Sequence, residues 1–431
     1  MRVPLLRLAL VALAASAAVP VSAAHAQPAA KPAKPPSFAD AVKQQAKPLT
    51  LAAGALAGAG AAPLKAALAD ANFVVLGEDH GIAQIPQLAT AICTELAPRG
   101  VHRLALEVGA AVGPELTRMA SAPDGAAQLA AFTAKYPETI AFYDWQEEFA
   151  FVSACARATA ARKAPLEIWG LDQELMGASQ FVLDQILATR PGTKATTAIT
   201  ALAKAAADAR ATAIAKNDFG ALFLFSAKQA PLTAATAALK KDGSAVAQAL
   251  FASLLRSRVI YQGQSGPDPY LSNRDRAKLM KETFLDDLSA AARADGAFPK
   301  VFLKFGAYHG YRGNNPLHSS EIGNLIGEAA EGHRVTSLHV IALGVKGQQL
   351  AMVGPGKAAP VPLDLTADPD MAFLAPFFAA QAPRAWTIFD LRTFRSHWGR
   401  FGALDPELER LVFGYDFLVL IPDPQPQHPR T

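Results

Sequence analysis

The chain has 431 residues, about half of them hydrophobic (51%), and a formal net charge of +4. That length suits one large domain or two ordinary ones and supplies a substantial core. So small a charge, scattered over Lys and Arg without an aromatic-interleaved basic stripe, excludes a nucleic-acid footprint.

The chain opens with Arg2 and Arg7, an apolar run from Leu8 to Ala18, and Ala24-His25-Ala26 before Gln27. This is the pattern of a cleavable secretory signal over residues 1–26. The run is shorter than the roughly 20 residues that span a bilayer, so no stable membrane span is expected after cleavage. The first cysteine is Cys93, which leaves no Cys near the cleavage site to carry a lipid. A periplasmic or secreted protein is the expectation.

Residues 27–48, with Lys31-Pro32-Ala33-Lys34-Pro35-Pro36, read as a semi-extended linker. A single α/β domain is expected over 49–421. Pro422, Pro424, Pro426 and Pro429 mark residues 422–431 as a frayed tail.

Within the domain, short apolar runs are each followed by a turn and a helical pattern: Phe73–Leu76, Arg103–Leu106, Leu166–Trp169 and Val301–Lys304. Such alternation implies βα units and a mostly parallel, mixed sheet flanked by helices. Later candidates at Ser337–Leu343, Leu350–Val353, Trp386–Phe389 and Asp416–Ile421 extend the sheet, some of them antiparallel at its edge. From about 193 to 257 the strands stop, and Ala-rich sequence predicts a helical insertion with a scaffold role. Cys93 and Cys155 each sit in an apolar helix-like stretch. They read as two small buried apolar side chains, although an oxidising compartment permits a disulfide.

In an open parallel sheet, ligands bind beyond the carboxyl ends of the strands, where loops and helix N-termini converge. The first strand ends in Gly77-Glu78-Asp79-His80-Gly81, the second in Glu107, the third in Gly170-Leu171-Asp172, and the fourth in Gly306-Ala307-Tyr308-His309-Gly310. A single acidic residue after a strand is commonly only a turn or a helix cap. Four strand ends that each deliver an acid or a His point instead to a shared cleft, because burying such groups without partners costs several kcal/mol apiece.

Two chemistries fit this set. His80 or His309 can take a proton from water while Glu78 or Glu107 fixes the imidazole tautomer. Alternatively, His80, Glu107 and His309 can hold a divalent metal with an activated water. The spacing leaves both open. Lys304, Arg312, Arg274 and Arg276 are cations placed to steady a carboxylate or an oxyanion. Arg274 and Arg276 serve equally well as surface ion-pair partners at the start of a long helix. The aromatic-acidic run Phe142–Phe149 can line the cleft where it starts a helix, with Glu148 a further cleft candidate, while Trp145 and Phe149, four apart, also suit a core stripe. His102, His318, His333, His339 and His397 are isolated and read as structural or surface residues. No GxSxG elbow, HExxH helix, Walker loop or GxGxxG fingerprint is present.

These motifs, in this order, resemble the superfamily that joins erythromycin-esterase-like, ChaN-like and TraB-like proteins. The resemblance rests on Gly77–Gly81, Leu104–Glu107, the acidic helix around Glu148 leading to Trp169–Asp172, Asn273–Arg276 and Gly306–His309. It implies a parallel-sheet α/β fold with a helical insertion and a cleft at the paired His and Glu positions. For the esterase-like branch it implies metal-independent attack of a His-activated water on an ester, with His80 as base, Glu78 and Glu107 orienting it, and His309 opposite. For the TraB-like branch it implies a divalent metal, and for the ChaN-like branch haem or another small ligand bound without catalysis. The Gly77-to-His80 spacing is the shorter one, nearer the ChaN-like and TraB-like pattern. In each branch the partner is a small-molecule ligand or substrate.

Overall fold

The computed structural model describes residues 36–429 apart from Ala141; the predicted signal segment lies outside them. Alternation of buried side chains builds the centre of the molecule. In β3 (Ala71–Glu78; β1 and β2 precede it, below) Val74 and Leu76 pack on one face of the sheet, against Ile85, Leu88 and Ile92 of the helix Gln84–Leu96. Phe73 and Val75 pack on the other, against Met280 and Phe284 of the helix Pro269–Asp295. A strand covered on both faces reads as an unbroken apolar run, as this one does. Each fully buried Leu, Ile or Phe contributes roughly 1.5–3 kcal/mol of transfer free energy.

β3 is central to a nine-stranded sheet. Its other members are β1 (Lys47–Ala52), β2 (Ala55–Ala57), β4 (Arg103–Gly109), β5 (Glu167–Asp172), β6 (Val301–Gly306), β7 (Thr336–Gly344), β10 (Trp386–Asp390) and β11 (Phe417–Ile421). The spatial order is β2-β1-β10-β11-β7-β3-β6-β4-β5. From β11 to β5 every pairing is parallel, while β10, β1 and β2 add antiparallel edge pairings. The expected α/β class with a mostly parallel, mixed sheet is what the chain adopts. β6, β4 and β5 lie to one side of β3, and β7 and β11 to the other, so the crevice at the carboxyl end of β3 is a topological switch point.

Several boundaries differ from the sequence reading. The stretch expected as linker folds from Ser37 onward. The Ser37 side chain accepts a hydrogen bond from the Asp40 N–H (3.2 Å) to start the helix Phe38–Gln45, and Phe38 and Val42, four apart, are buried against Phe377 and Phe394. Leu350–Val353 does not extend the main sheet. It belongs to β8 (Lys346–Gly354), which pairs only with β9 (Lys357–Asp364) through the Gly354-Pro355-Gly356 turn. Helical structure runs without a strand from Ser179 to Asp295, wider than the expected 193–257.

The tail is also anchored: Pro426 bridges to Ile82, and Gln427 is buried, reaching Glu148 at 3.1 Å. Cys93 and Cys155 form a disulfide across 5.8 Å of Cα separation, in place of two free buried thiols. Their helices, Gln84–Leu96 and Gln146–Ala160, pack side by side and bring the sulfurs together.

Candidate active site

The register of β3, β6 and β4 determines which side chains share the crevice. Glu78 pairs with Gly306, and Lys304 lies level with both Leu76 and Leu106. Lys304, fully buried, donates to Glu78 Oε1 (2.5 Å) and to Glu148 Oε1 (2.8 Å) beneath the cleft floor. A lysine in so apolar a strand persists because two carboxylates meet it. Glu78 Oε1 also faces His80 Nδ1 at 3.1 Å, which ties the buried ion chain to the imidazole above. Burial pushes the Glu78 carboxyl up, but Lys304 and His80 outweigh it and hold Glu78 below the ordinary range. Burial raises Glu148 to about 7 in spite of Lys304.

His80 stacks on the Phe142 ring, with centroids 4.0 Å apart and planes 13° from parallel. Its Nε2 lies 3.5 Å from Glu107 Oε2. Gly306 makes that placement possible, because a Cβ there would stand 2.9 Å from His80 Nε2. Burial lowers the basicity of His80, yet Glu107 and Glu78 prevail and raise it above 6.5.

Glu107 is the hub of the other half. Its Oε2 accepts from the Gly306 N–H (2.7 Å), and its Oε1 accepts from Arg276 Nη2 (2.7 Å) and lies 3.5 Å from His309 Nε2. Arg276 also binds Asp172 through Nε (2.9 Å) and Nη2 (2.5 Å). His309 Nδ1 lies 3.1 Å from Glu321 Oε2. Burial opposes its protonation, but Glu107 overcomes this and raises His309 to about 9. Burial pushes Glu107 up, and His309, His80 and Arg276 pull it well below the ordinary carboxylate range. At neutral pH, then, His309 is an imidazolium beside an anionic Glu107.

Glu78, His80, Glu107, Asp172, Arg276 and His309 line one cavity of about 680 Å³. Lys304 and Glu148 lie below it rather than on its wall. Two predicted cations are elsewhere. Arg274 is exposed and pairs with its neighbour Asp275 (3.6 Å), since residues two apart on a helix face different ways. Arg312 forms a bidentate pair with Asp416 (3.0 and 2.7 Å), away from the cavity. His318 is not on its wall, and His339 is buried against the Gly310 carbonyl, where burial lowers it to about 3.

Phe142 and Trp145, from the run expected to line the cleft, are on its wall, although the φ of +53° at Phe142 and its stacking on His80 were not foreseen; sequence reasoning missed Glu321, twelve residues beyond His309. It also missed Tyr261 and Gln264, which the helical insertion sends to the wall, and the Gln349–Met352 roof from β8.

Among the described residues no group of three or more His, Cys, Asp or Glu has the mutual placement to hold a metal ion. The proposed trio does not fit one. Both Glu107 oxygens are taken by N–H donors, and the Arg276 guanidinium stands against the carboxylate that would have to ligate a cation. Nor do the imidazoles fit as haem ligands: each Nδ1 is held by a carboxylate and each Nε2 faces Glu107.

Against solved structures, the chain matches an erythromycin esterase, EreC, a His-to-Asn mutant in its open conformation. The TM-score is 0.58 at 14% identity, covering 84% of this chain and 93% of that one. The chain has the erythromycin-esterase fold. A succinoglycan biosynthesis protein shares it (TM-score 0.56, 15% identity, 91% of this chain and 98% of that one), as does a Bacillus cereus protein (0.57, 16%, 91% and 98%). No family model and no curated protein matches the sequence. The erythromycin-esterase fold thus extends over nearly all the described residues at an identity that transfers architecture alone.

Proposed function

We propose that this cleft belongs to an exported hydrolase that uses His80 to direct water onto an ester, lactone or amide carbonyl. The observation that carries the reading is the pair of imidazoles that flank Glu107, each with its Nδ1 on a second carboxylate, of which His309 is raised to about 9. His80, its Nδ1 proton held by Glu78, accepts a proton from water at Nε2. The water oxygen bonds to the carbonyl carbon, and the developing oxyanion is met by Arg276 and by the His309 imidazolium. As the carbon–heteroatom bond breaks, His309 gives its proton to the leaving group. The proton on His80 then passes through solvent to restore His309. Glu107 and Glu321 hold the His309 ring, and Asp172 holds Arg276.

Export is supported by the N-terminal pattern and by the Cys93–Cys155 disulfide, which is at home in an oxidising compartment. The test is a panel of aryl esters, lactones and anilides given to the mature protein at pH 8, with and without chelator. Turnover of at least one class should survive chelation. Turnover abolished by chelator and restored by a divalent metal would replace the mechanism.

A further inference from the structure

The cavity above Glu107 does not end at Tyr308. Beyond that ring a second chamber of about 470 Å³ opens towards the turn Pro369–Leu374 and the helix Pro406–Gly414, and it shares Asp79, Ala307, Tyr308 and Met371 with the first. Two chemistries make its wall. Tyr308, Tyr311 and Phe373 give aromatic surface beside aliphatic Ile341 and Leu343. Asp79, Asp370, Asp405 and Glu407 give negative charge, and no Lys or Arg lines the chamber. Glu407 is paired with Arg410, and Asp405 caps its helix by accepting from the Glu407 N–H (2.8 Å). Among the described residues, neither Asp79 nor Asp370 has a Lys or Arg partner.

Asp79 is the informative residue. Its Oδ2 is buried without a hydrogen-bond partner, although the Gly344 N–H and His80 favour the same carboxylate, and an oxygen so placed costs free energy unless something answers it. Burial raises this carboxyl to about 7. The Tyr308 phenol is raised too, by burial first and then by Asp79, Asp370, Asp368 and Glu407, so the negative field converges on the ring that separates the two cavities.

An anion is repelled from such a wall, and an uncharged apolar group leaves Asp79 unanswered. A primary ammonium is strongly hydrated and gains little from the rings. A cation clothed in alkyl groups satisfies both surfaces, since aromatic faces attract it and adjacent carboxylates hold its charge. We infer that this chamber binds a tertiary or quaternary ammonium group, its charge beside Asp79 and Asp370 and its alkyl skin against Tyr308, Tyr311 and Phe373. Such a group, carried on a substrate, would place the remainder of that molecule in the cleft at His80. Binding itself needs no turnover, so this inference and the hydrolytic one fail independently.

The test is titration of the full chain at pH 8, where Asp79 is ionised, with phenyltrimethylammonium and with tert-butylbenzene, its uncharged isostere, followed by ligand-observed NMR. The cation is expected to bind saturably and at least ~10-fold more tightly than the isostere. Asp79→Asn, an isosteric change, should weaken the cation by ~10-fold or more and leave the isostere unmoved. Exposed Asp370→Asn should weaken it by about threefold, and it decides the matter if Asp79→Asn does not fold. Equal affinity for the two probes, no saturable cation binding, or wild-type affinity in both variants would overturn the inference.

Discussion

At the scale of single residues, the two histidines match in their carboxylate contacts and differ in their aromatic ones, His80 stacking on Phe142 and His309 lying edge-on to Phe305. His309 keeps its proton to about 9, while His80 is raised above 6.5 but must be neutral to accept a proton. The sign follows: kcat/KM should rise with pH as His80 deprotonates above 6.5 and fall as His309 deprotonates near 9. In His309→Gln the alkaline limb should disappear from the pH–rate profile. The buried ion chain gives a second contrast. Lys304→Met removes the buried cation from Glu78, leaving that carboxylate the His80 contact alone, and should cost roughly 3–5 kcal/mol in denaturant unfolding. Glu148→Gln alters a carboxyl already raised to about 7 and should cost well under half of that. Glu78, His80, Glu107, Asp172, Lys304 and His309 were legible because each lies at or beside the end of an apolar run. Arg276 was legible only as one of two neighbouring arginines, because the choice between them depends on how a helix 169 residues beyond Glu107 is turned. Nothing local to Phe142 marks it as the ring beneath His80.

At the scale of elements, the apolar runs flanked by turns revealed the parallel strands, since burial on both faces leaves no polar alternation to confuse them. The β8–β9 hairpin escaped because an antiparallel pair outside the sheet has the same local pattern as an edge strand. The hairpin is fastened to the His80 loop: Leu350 N donates to the Gly81 carbonyl (2.9 Å), and a Cβ on Gly81 would lie 2.0 Å from the Leu350 carbonyl oxygen. Gly81 also has φ of +81°, a region in which other residues are strained. Gly81→Ala should therefore lower stability by about 1–3 kcal/mol in a urea melt. It should also raise KM more than it lowers kcat, because the roof moves before the ion chain does. The segment expected to fray shows the converse error: its prolines lack an N–H, but the extended chain around them still pairs with the His80 loop, Gln427 N donating to the Gly81 carbonyl (2.9 Å) and Ala83 N to the Gln425 carbonyl (2.8 Å), and buries the Gln427 side chain.

At the scale of the whole molecule, the sheet brings together side chains from Glu78 to Glu321 at one switch point, and the disulfide ties the two helices that flank it. Cys93 and Cys155 are 62 residues apart, and closing a loop of that size in the unfolded chain is worth about 4 kcal/mol in the chain-entropy account. Cys93→Ser should lower the unfolding free energy by roughly 2–4 kcal/mol, and a reductant should do the same to the wild type but not to the variant. The pairing was not legible because sequence does not say which helices lie side by side.

The central claim is that His80 is the base of a hydrolytic site, and the most direct measurement is kcat for wild type and His80→Asn on the best substrate of the ester, lactone and amide panel. The expected result is a fall of ~100-fold or more with the melting temperature and far-ultraviolet dichroism essentially unchanged. A folded His80→Asn protein that turns over at the wild-type rate would contradict it.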